Sequence, residues 1–321
     1  MLYSVRRQTP DDAPSVFRLC RSIDPPEWDY DLPLFAHWQE TGTRFGAVER
    51  LVATDAAGHI VGMGVASISP ERPWGCYIEV GVAREVRNRG IGGALFRDLE
   101  AWATARGVTL FRAWPSSSEP ATRPFYERRG YAVEEEERVS VLDLTRFDPA
   151  AWREKESAGV ADGVLYVTLA EGGCPTRSEI PALMNAANRS MPSTLEHRDE
   201  ADEPILFRAL ESPYYAPDLA LFAKVGDQWA GMCWVLPTGR ESAMLECTAV
   251  FEPFRRRGIA WALKLRTARW AKERGLRRLV TCNDSANEGM LHINTRMGFD
   301  YRLTQLGMLR GEDRPLETPA C

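Results

Sequence analysis

The sequence has few cysteines and histidines and no long hydrophobic run. Its 321 residues hold seven scattered cysteines without a CxxC pair, and four histidines, none of them at metal-ligand spacing. This pattern argues against a zinc site or a disulfide framework and is typical of reduced thiols in a cytoplasmic protein. No apolar stretch approaches the roughly 18 residues of a membrane span. The first dozen residues lack the apolar core of a signal peptide, so we expect no secretion.

A basic excess is also absent. The formal net charge is −5, whereas nucleic-acid-binding proteins usually carry clustered positive charge. Hydrophobic residues make up 44% of the chain, which suits a globular protein with sizeable cores. We therefore expect no nucleic-acid partner, no metal and no membrane association.

What the chain does contain is an internal repeat. Residues 82–107 align without a gap with residues 250–275, with 11 identities in 26 positions. The same offset of 168 residues carries Gly130-Tyr131 onto Gly298-Phe299. A period this long indicates two copies of one domain rather than a solenoid. Two domains of roughly 150 residues also suit the length of the chain.

The boundary between the copies is predicted from composition. Each copy begins with a strand pattern, at 3–6 and at 165–168, and the region from about 146 to 163 is polar, with one proline and two glycines. Such a stretch favours a linker. The predicted organisation is an N-terminal domain over 1–150, a linker over 151–160 and a C-terminal domain over 161–321.

Each repeat places a basic, glycine-bearing loop between a strand and a helix. The strands are predicted at 77–82 and 246–250, and the helices, with apolar residues at helical spacing, from Gly92 and Ala260. Unpaired N–H groups at a helix start bind anions, glycine permits close approach, and arginine adds forked donors. The predicted anion-binding residues are Arg87, Asn88, Arg89, Gly90, Ile91, Gly92 and Gly93 in the first copy, and Arg255, Arg256, Arg257, Gly258, Ile259 and Ala260 in the second.

These loops resemble those of the GNAT N-acetyltransferase superfamily. Arg87-x-x-Gly90-x-Gly92 and Arg255-x-x-Gly258-x-Ala260 match its R/Q-x-x-G-x-G/A signature. Residues 125–131 are similar to its FYxxxGF element. Residues 283–299 resemble the NxxxNxxMxxIN…GF element of bacterial tandem GNAT proteins, a group that includes mycothiol synthase. One RxxGxG is a weak signal, but two copies in register, each followed by a glycine–aromatic pair, are specific.

The resemblance implies an α/β (α+β) fold. It would consist of two tandem GNAT-like domains, each with a mixed, mostly antiparallel sheet, flanking helices and a splayed central strand pair. It also implies acetyl-CoA as co-substrate, with the pyrophosphate on the loop amides. The pantetheine arm would lie along the preceding strand, at Val80 and Val82 or at Val250, and Asn287 would contact it. The expected function is a cytoplasmic N-acetyltransferase, monomeric or homodimeric, acting on a small-molecule primary amine.

Three residues are catalytic candidates by the same resemblance. Tyr126 falls on the family's thiolate-protonating tyrosine, and the equivalent position in the second copy is Asn294, which cannot act as an acid. Glu79 and Glu246 lie on the strands before the loops, where the family often keeps its base. The gapless alignment puts these two glutamates one residue out of register. They are therefore expected on opposite sheet faces unless a bulge intervenes.

Several alternatives stay open at this point. Tyr126 and the glycine-rich first loop favour chemistry in the N-terminal copy, whereas the likeness to mycothiol synthase favours the C-terminal one. The alternative functions are a non-catalytic acyl-CoA-binding or regulatory protein and a protein or peptide N-acetyltransferase. The acceptor pocket is expected in the regions around 20–45 and 185–218. The acidic run from Glu134 to Glu137 is interpreted as a solvated strand end, with recognition of a cationic substrate as the alternative.

Overall fold

The structure is a computed structural model that describes residues 3–44, 46–70, 72–158, 163–192 and 210–312. The chain forms two compact units. The N-terminal unit comprises residues 1–26, 35–134 and 305–321, and the C-terminal unit comprises residues 27–34 and 135–304. The domain boundaries at 150 and 161 stay a prediction, because compact packing does not test which stretch of chain folds by itself.

The N-terminal unit contains a mostly antiparallel sheet. Its strands are β1 (Tyr3–Arg7), β2 (Ala47–Asp55), β3 (Ile60–Ile68), β4 (Gly75–Val82) and β5 (Leu110–Ala113), with the C-terminal part of β12 (Asp300–Gly311). Strands β1 to β4 pair antiparallel in chain order, β4 pairs parallel with β5, and β12 pairs antiparallel with β5. The helices of the first repeat are α1 (Ala13–Ile23), α2 (Leu32–Gly42), α3 (Ile91–Thr104) and α4 (Thr122–Glu127).

The C-terminal unit repeats this pairing order. Its strands are β6 (Ala132–Asp143), β7 (Val164–Thr168), β8 (Ala220–Val225), β9 (Gln228–Pro237), β10 (Ser242–Val250) and β11 (Arg278–Asp284). Strands β7 to β10 pair antiparallel, β10 pairs parallel with β11, and β11 pairs antiparallel with β6. Its helices are α5 (Arg153–Ala158), α6 (Ile180–Ser190), α7 (Ile259–Glu273) and α8 (Glu288–Met297). The predicted fold class is confirmed.

The last strand of each repeat is exchanged. Strand β6 ends the first repeat and pairs with β11 of the second, whereas β12 ends the second repeat and pairs with β5 of the first. For this reason the compact units are not continuous in sequence. The sequence pattern does not predict this exchange, because a β-strand has the same apolar pattern whichever sheet it joins.

Helices α3 and α7 cover the equivalent faces of the two sheets. Leu95 and Leu99 of α3 are fully buried and pack with Ile78 of β4, and Leu263 of α7 packs with Leu245 of β10. The i, i+4 spacing makes one helix face apolar, and each such side chain contributes roughly 1.5–3 kcal/mol by leaving water. This packing holds the start of each helix, and the loop before it, against the sheet.

The segment predicted as a linker contains helix α5. Its Glu156 is buried and accepts a hydrogen bond from Arg269 of α7 at 2.8 Å. Residues 159 and 160 of the predicted linker lie outside the described residues. Among the described helices, none is both long and apolar enough to cross a membrane.

Candidate functional site

In each unit the parallel strand pair separates before the loop. Strands β4 and β5 pair from Gly75 to Tyr77, and the described pairing does not extend along β4 to Val82. Strands β10 and β11 pair from Ser242 to Leu245, again short of the loop. The predicted splay is therefore present twice. Backbone groups on one edge of β4 and of β10 are left for a ligand, because a sheet edge without a partner strand offers N–H and C=O groups.

The loop before α3 is shaped by two left-handed residues. Asn88 has φ 61° and Gly90 has φ 86°, a region that asparagine and glycine enter most readily. The first intrahelical bond runs from the Ala94 N–H to the Gly90 carbonyl at 3.0 Å. The amides of residues 91–93 therefore lie in the first turn, where no helical acceptor exists for them. They form the positive end of the helix dipole.

The loop before α7 has the same geometry. Arg256 has φ 59° and Gly258 has φ 79°, and the Ala262 N–H donates to the Gly258 carbonyl at 3.1 Å. A left-handed arginine costs roughly 1–2 kcal/mol, and such strain is retained at functional loops. Both loops fit an anion such as a pyrophosphate by their own backbone geometry, and not only by sequence likeness.

An arginine ties each loop to its strand. Arg87 Nε donates to the Val82 carbonyl at 3.0 Å, and Arg255 Nε donates to the Val250 carbonyl at 3.2 Å. The two bonds are equivalent under the repeat. The Nε of the first arginine of each signature therefore fixes the strand-to-loop turn. Its two Nη groups remain available for other contacts.

The two loops differ in what those remaining groups meet. Arg84 and Arg87 both donate to the carboxylate of Glu119, at 2.6 and 2.5 Å. Under the repeat, position 119 corresponds to Asn287, whose Oδ1 instead accepts from the Met290 N–H and caps α8. In the C-terminal loop, Arg255 Nη2 donates to the Ser190 carbonyl. The arginine of the N-terminal loop thus meets a carboxylate that neutralises part of its charge, whereas the arginine of the C-terminal loop meets a neutral carbonyl group.

Glu79 and Tyr126 lie together at the splay of the N-terminal unit. The Tyr77 hydroxyl donates to Glu79 at 2.9 Å, and burial together with the charge of Asp24 raises the pKa of Glu79. Tyr126 is 4% exposed, and the Val80 N–H donates to its hydroxyl oxygen. Burial and the charge of Glu79 hold the pKa of Tyr126 well above its usual range. A raised carboxyl pKa beside a protonated phenol is an arrangement that suits acid–base chemistry.

A bulge changes the expected position of Glu246. The register of β10 on β9 shifts between Leu245 and Cys247, whereas β4 on β3 has no such shift. Leu245 packs in the core with α7, and Met244 packs with Cys282 on the other face. Glu246 is the additional residue. Its charge acts on Cys282, which places it on the face away from α7.

The bulge brings the two glutamates to corresponding faces. Ile78 packs with α3, whereas the pKa of its neighbour Glu79 is raised by the charge of Asp24, the residue just after α1. Glu79 therefore lies on the face of β4 away from α3, as Glu246 lies on the face of β10 away from α7. The two glutamates were expected on opposite faces only if no bulge intervened, and β10 contains a bulge.

Part of the acidic run is half-buried, whereas the whole run was interpreted as a solvated strand end. Glu134 and Glu136 are exposed, but Glu137 is opposite Asp284 in the β6–β11 pairing. Burial, with Glu135, Glu246 and Asp284 nearby, raises the pKa of Glu137 to about 7. Glu137 is therefore only partly solvated, because it lies on β6, whose alternate side chains turn inward.

Sequence reasoning missed Lys264, a buried lysine on α7. The signal was available, because the repeat aligns Lys264 with the apolar Phe96. A charged residue on a buried helical stripe is rare enough to mark a position. Of the regions expected to form the acceptor pocket, Phe45 and residues 193–209 lie outside the described residues.

Comparison with known proteins agrees with this geometry. The family model described as "Acetyltransferase (GNAT) family" matches residues 13–131 and 180–299, well over half of the chain. A GCN5-related N-acetyltransferase of Sphaerobacter thermophilus has 17% identity and a TM-score of 0.72, covering 98% of each chain. A tandem GNAT protein from the clavulanic acid biosynthesis pathway has 18% identity and a TM-score of 0.73, covering 98% of this chain and all of that one. No curated protein matches the sequence.

Two splayed sheets, each with a basic, left-handed loop at the start of a helix, together with the family match, indicate an acyltransferase of tandem architecture. The chain belongs to the acetyltransferase (GNAT) family, with one copy of the domain in each half. The resemblance inferred from the loop sequences is thereby confirmed.

Proposed function

We propose that the protein transfers an acetyl group from acetyl-CoA to a small-molecule primary amine, by direct attack of the amine on the thioester. The observation that supports this proposal best is the grouping of Glu79, the Val80 amide and Tyr126 where β4 leaves β5. These three groups are a base, an oxyanion donor and an acid, which are the parts that aminolysis of a thioester requires.

The N-terminal unit holds this acid–base pair. Glu79 takes a proton from the substrate ammonium, directly or through a water molecule, so that the neutral nitrogen can attack the carbonyl carbon. When the thioester is bound, its carbonyl oxygen replaces the Tyr126 hydroxyl as the acceptor of the Val80 N–H, which then stabilises the negative charge that develops on that oxygen. As the C–N bond forms, the C–S bond breaks, and the Tyr126 hydroxyl gives its proton to the departing sulfur. As the amide forms, the nitrogen loses a second proton, which restores the Tyr126 hydroxyl, and Glu79 releases the first proton to solvent. The products are an amide, a free thiol and one proton.

Negative charge beside the base favours an amine acceptor. The charges of Asp24 and Glu79 act on each other, and Tyr77 adds a polar hydroxyl at 2.9 Å from Glu79. Two carboxyl groups in one place attract a substrate that arrives as an ammonium ion. They also leave the nitrogen next to the group that deprotonates it.

Acetyl-CoA binding can be assigned to a loop by calorimetric titration of the wild type, Gly90→Trp and Gly258→Trp, with each fold checked by circular dichroism. A bulky side chain at either glycine blocks the anion loop of that unit alone. We expect each variant to lose the binding of its own unit. Full binding in both variants would refute the loop assignment and remove the main physical support for the transferase.

The acceptor is tested by release of free thiol from acetyl-CoA. A panel of small primary amines is compared with peptides that carry a free N-terminus or a lysine. Turnover with small amines, and none with peptides, is the expected result. Tight binding without thiol release for any amine would instead indicate an acyl-CoA-binding protein without transferase activity.

A further inference from the structure

Lys264 lies at a core position of helix α7. It is 1% exposed, and Nζ has no hydrogen-bond partner among the residues that the structure describes. Nζ lies 4.9 Å from the centroid of the Phe299 ring. Burial lowers the pKa of Lys264 to about 8, and the nearby thiols of Cys233 and Cys247 raise that pKa by a smaller amount. One cation–π contact offsets only a small part of the free energy that it costs to remove an ammonium group from water.

A second incompletely paired polar group lies on helix α8. Asn294 is 2% exposed, and its Nδ2 donates to Asn283 Oδ1 at 2.6 Å. Within the described part of the chain, its own Oδ1 accepts no hydrogen bond. Lys264 Nζ and Asn294 Oδ1 are therefore a buried donor and a buried acceptor without hydrogen-bond partners among the described residues of the C-terminal unit. Such groups in a folded protein point to a bound molecule or a chemical role.

The internal repeat places both groups at the splay. The equivalents of Lys264, Asn294 and Phe299 in the N-terminal unit are Phe96, Tyr126 and Tyr131. There the three rings pack edge to face, with the Phe96 centroid 6.3 Å from that of Tyr126 and 6.1 Å from that of Tyr131. The Tyr126 hydroxyl meets the Val80 amide at the splay of the N-terminal unit. By the repeat, Lys264 and Asn294 take the positions that the rings of Phe96 and Tyr126 occupy there.

The bulge in β10 is the third element of this arrangement. Cys247, the first residue after the bulged Glu246, is among the groups whose charge acts on Lys264. The lysine is therefore close to the segment of β10 that has separated from β11. The same segment ends at the loop before α7, in which Arg255 donates to the Ser190 carbonyl and not to a carboxylate.

We propose that the C-terminal unit contains a second acyl-transfer centre, in which the Lys264 ammonium replaces the tyrosine hydroxyl as the group that protonates the departing thiolate. This inference rests on the proposed function, because it uses the same acyl-CoA and the same splay. Asn294, at the position equivalent to Tyr126, would then be a polar group near the lysine, and the unit would not need an acid at that position.

The proton and electron balance of the step is complete. The amine nitrogen bonds to the thioester carbon, the C–S bond breaks, and its electron pair stays on sulfur. Lys264 gives one proton to that sulfur and becomes a neutral amine. It is recharged by the proton that the substrate nitrogen loses. An ammonium that releases its proton near pH 8 is well matched to a thiol whose ordinary pKa is about 8.5.

The test follows the ionisation of the CoA thiol itself and needs no acceptor. CoA is bound to Gly90→Trp, in which only the C-terminal loop remains open, and thiolate absorbance is recorded from pH 6 to 10. An adjacent ammonium should lower the apparent pKa of the bound thiol by about one unit or more, a tenfold change in ionisation. Lys264→Met in the same background should abolish this shift and change CoA affinity by less than about threefold.

Controls separate the possible outcomes. Lys272→Met removes a lysine of the same helix whose Nζ donates to the Phe147 carbonyl, and it should keep the shift. Replacing a buried ammonium by an apolar side chain of similar length is compatible with folding, which circular dichroism verifies. Equal thiol titrations with and without Lys264 would overturn the proposal. So would a Gly90→Trp variant that binds no CoA, although the N-terminal site would then still support the proposed function. No CoA binding by the wild type would refute both.

Discussion

Arg87 Nη1 donates to Glu119 Oε2 at 2.5 Å, and Glu119 also accepts from Arg84. The pair lies beside the anion loop of the N-terminal unit, so the carboxylate occupies donors that would otherwise face a pyrophosphate. The two arginines hold the pKa of Glu119 below its usual value even though burial opposes this. Glu119 therefore stays charged at neutral pH and reduces the net positive charge beside this loop.

Glu119→Gln should tighten CoA binding to the N-terminal loop. Removing one negative charge frees the two guanidinium groups, and partly exposed charge pairs of this kind contribute roughly 1 kcal/mol, equivalent to about a fivefold change in Kd. Calorimetry in the Gly258→Trp background measures this loop alone. The gain should shrink at high salt, because partly exposed charges are screened. Weaker binding in Glu119→Gln would show that the ion pair supports the loop instead.

Tyr126→Phe should slow thiol release with little change in the affinity for CoA. The phenylalanine keeps the packed ring and removes only the hydroxyl that meets the Val80 amide, so the loss, roughly a hundredfold in kcat, reports proton donation. Tyr131→Phe is a matched control. It removes a neighbouring buried hydroxyl that has no hydrogen-bond partner among the described residues, and it should leave kcat nearly unchanged. Equal effects of the two variants would argue against Tyr126 as the acid.

Glu79→Gln should remove the acidic limb of the pH–rate profile in the N-terminal unit. The base must be ionised to accept a proton, so the rate rises with pH as Glu79 loses its own. Burial and Asp24 raise its pKa, and that limb should lie above the ordinary range of a glutamate. The variant should lose about a hundredfold in kcat/KM. Asp98→Asn, which changes an exposed carboxylate of α3, serves as the control and should keep the profile.

Lys264→Met should stabilise the protein at neutral pH. Burial lowers the pKa of Lys264 to about 8 in the folded chain, against 10.5 for an ordinary lysine side chain. The unfolded chain therefore binds more protons between these values, and wild-type stability rises with pH across that window. The gain from methionine should be largest below pH 8, on the order of 3 kcal/mol at 1.36 kcal/mol per unit, and should vanish towards pH 10.5. Denaturant unfolding at pH 7 and pH 10 measures it, and a gain independent of pH would contradict the assignment.

Glu137→Gln should stabilise the protein above pH 7 and have little effect near pH 4.5. The folded state raises the pKa of Glu137 from 4.5 to about 7, so the fold favours the protonated form. This contribution is complete below the unfolded pKa and is lost as the pH rises through 7. The expected gain at pH 8 is on the order of 3 kcal/mol. Glu136→Gln, at the exposed neighbour, should show no such dependence, and thermal unfolding at pH 5 and pH 8 compares the two.

The parts of the site that depend on local chain geometry were predictable. The αL residues Asn88 and Gly90, and the helix start at Ile91, follow from a basic, glycine-bearing turn between an apolar strand and an amphipathic helix. Their copies at Arg256 and Gly258 follow from the repeat. The bulge at Glu246 was only partly accessible, because the one-residue offset between Glu79 and Glu246 is compatible with a bulge and also with a regular strand. Only the pairing with β9 reveals it.

By itself, the amino-acid sequence determined that two copies of one domain exist and that each carries a basic, glycine-bearing loop between a strand and a helix. These properties are encoded in residues close together along the chain. The tertiary structure alone decided that β6 and β12 exchange between the repeats and that Glu119 pairs with the arginines of one loop. It also decided that Lys264 and Asn294 are each buried with a polar atom that has no partner among the described residues. Each of these depends on residues far apart in sequence, and proximity, burial and charge coupling between such residues arise only when the chain has packed.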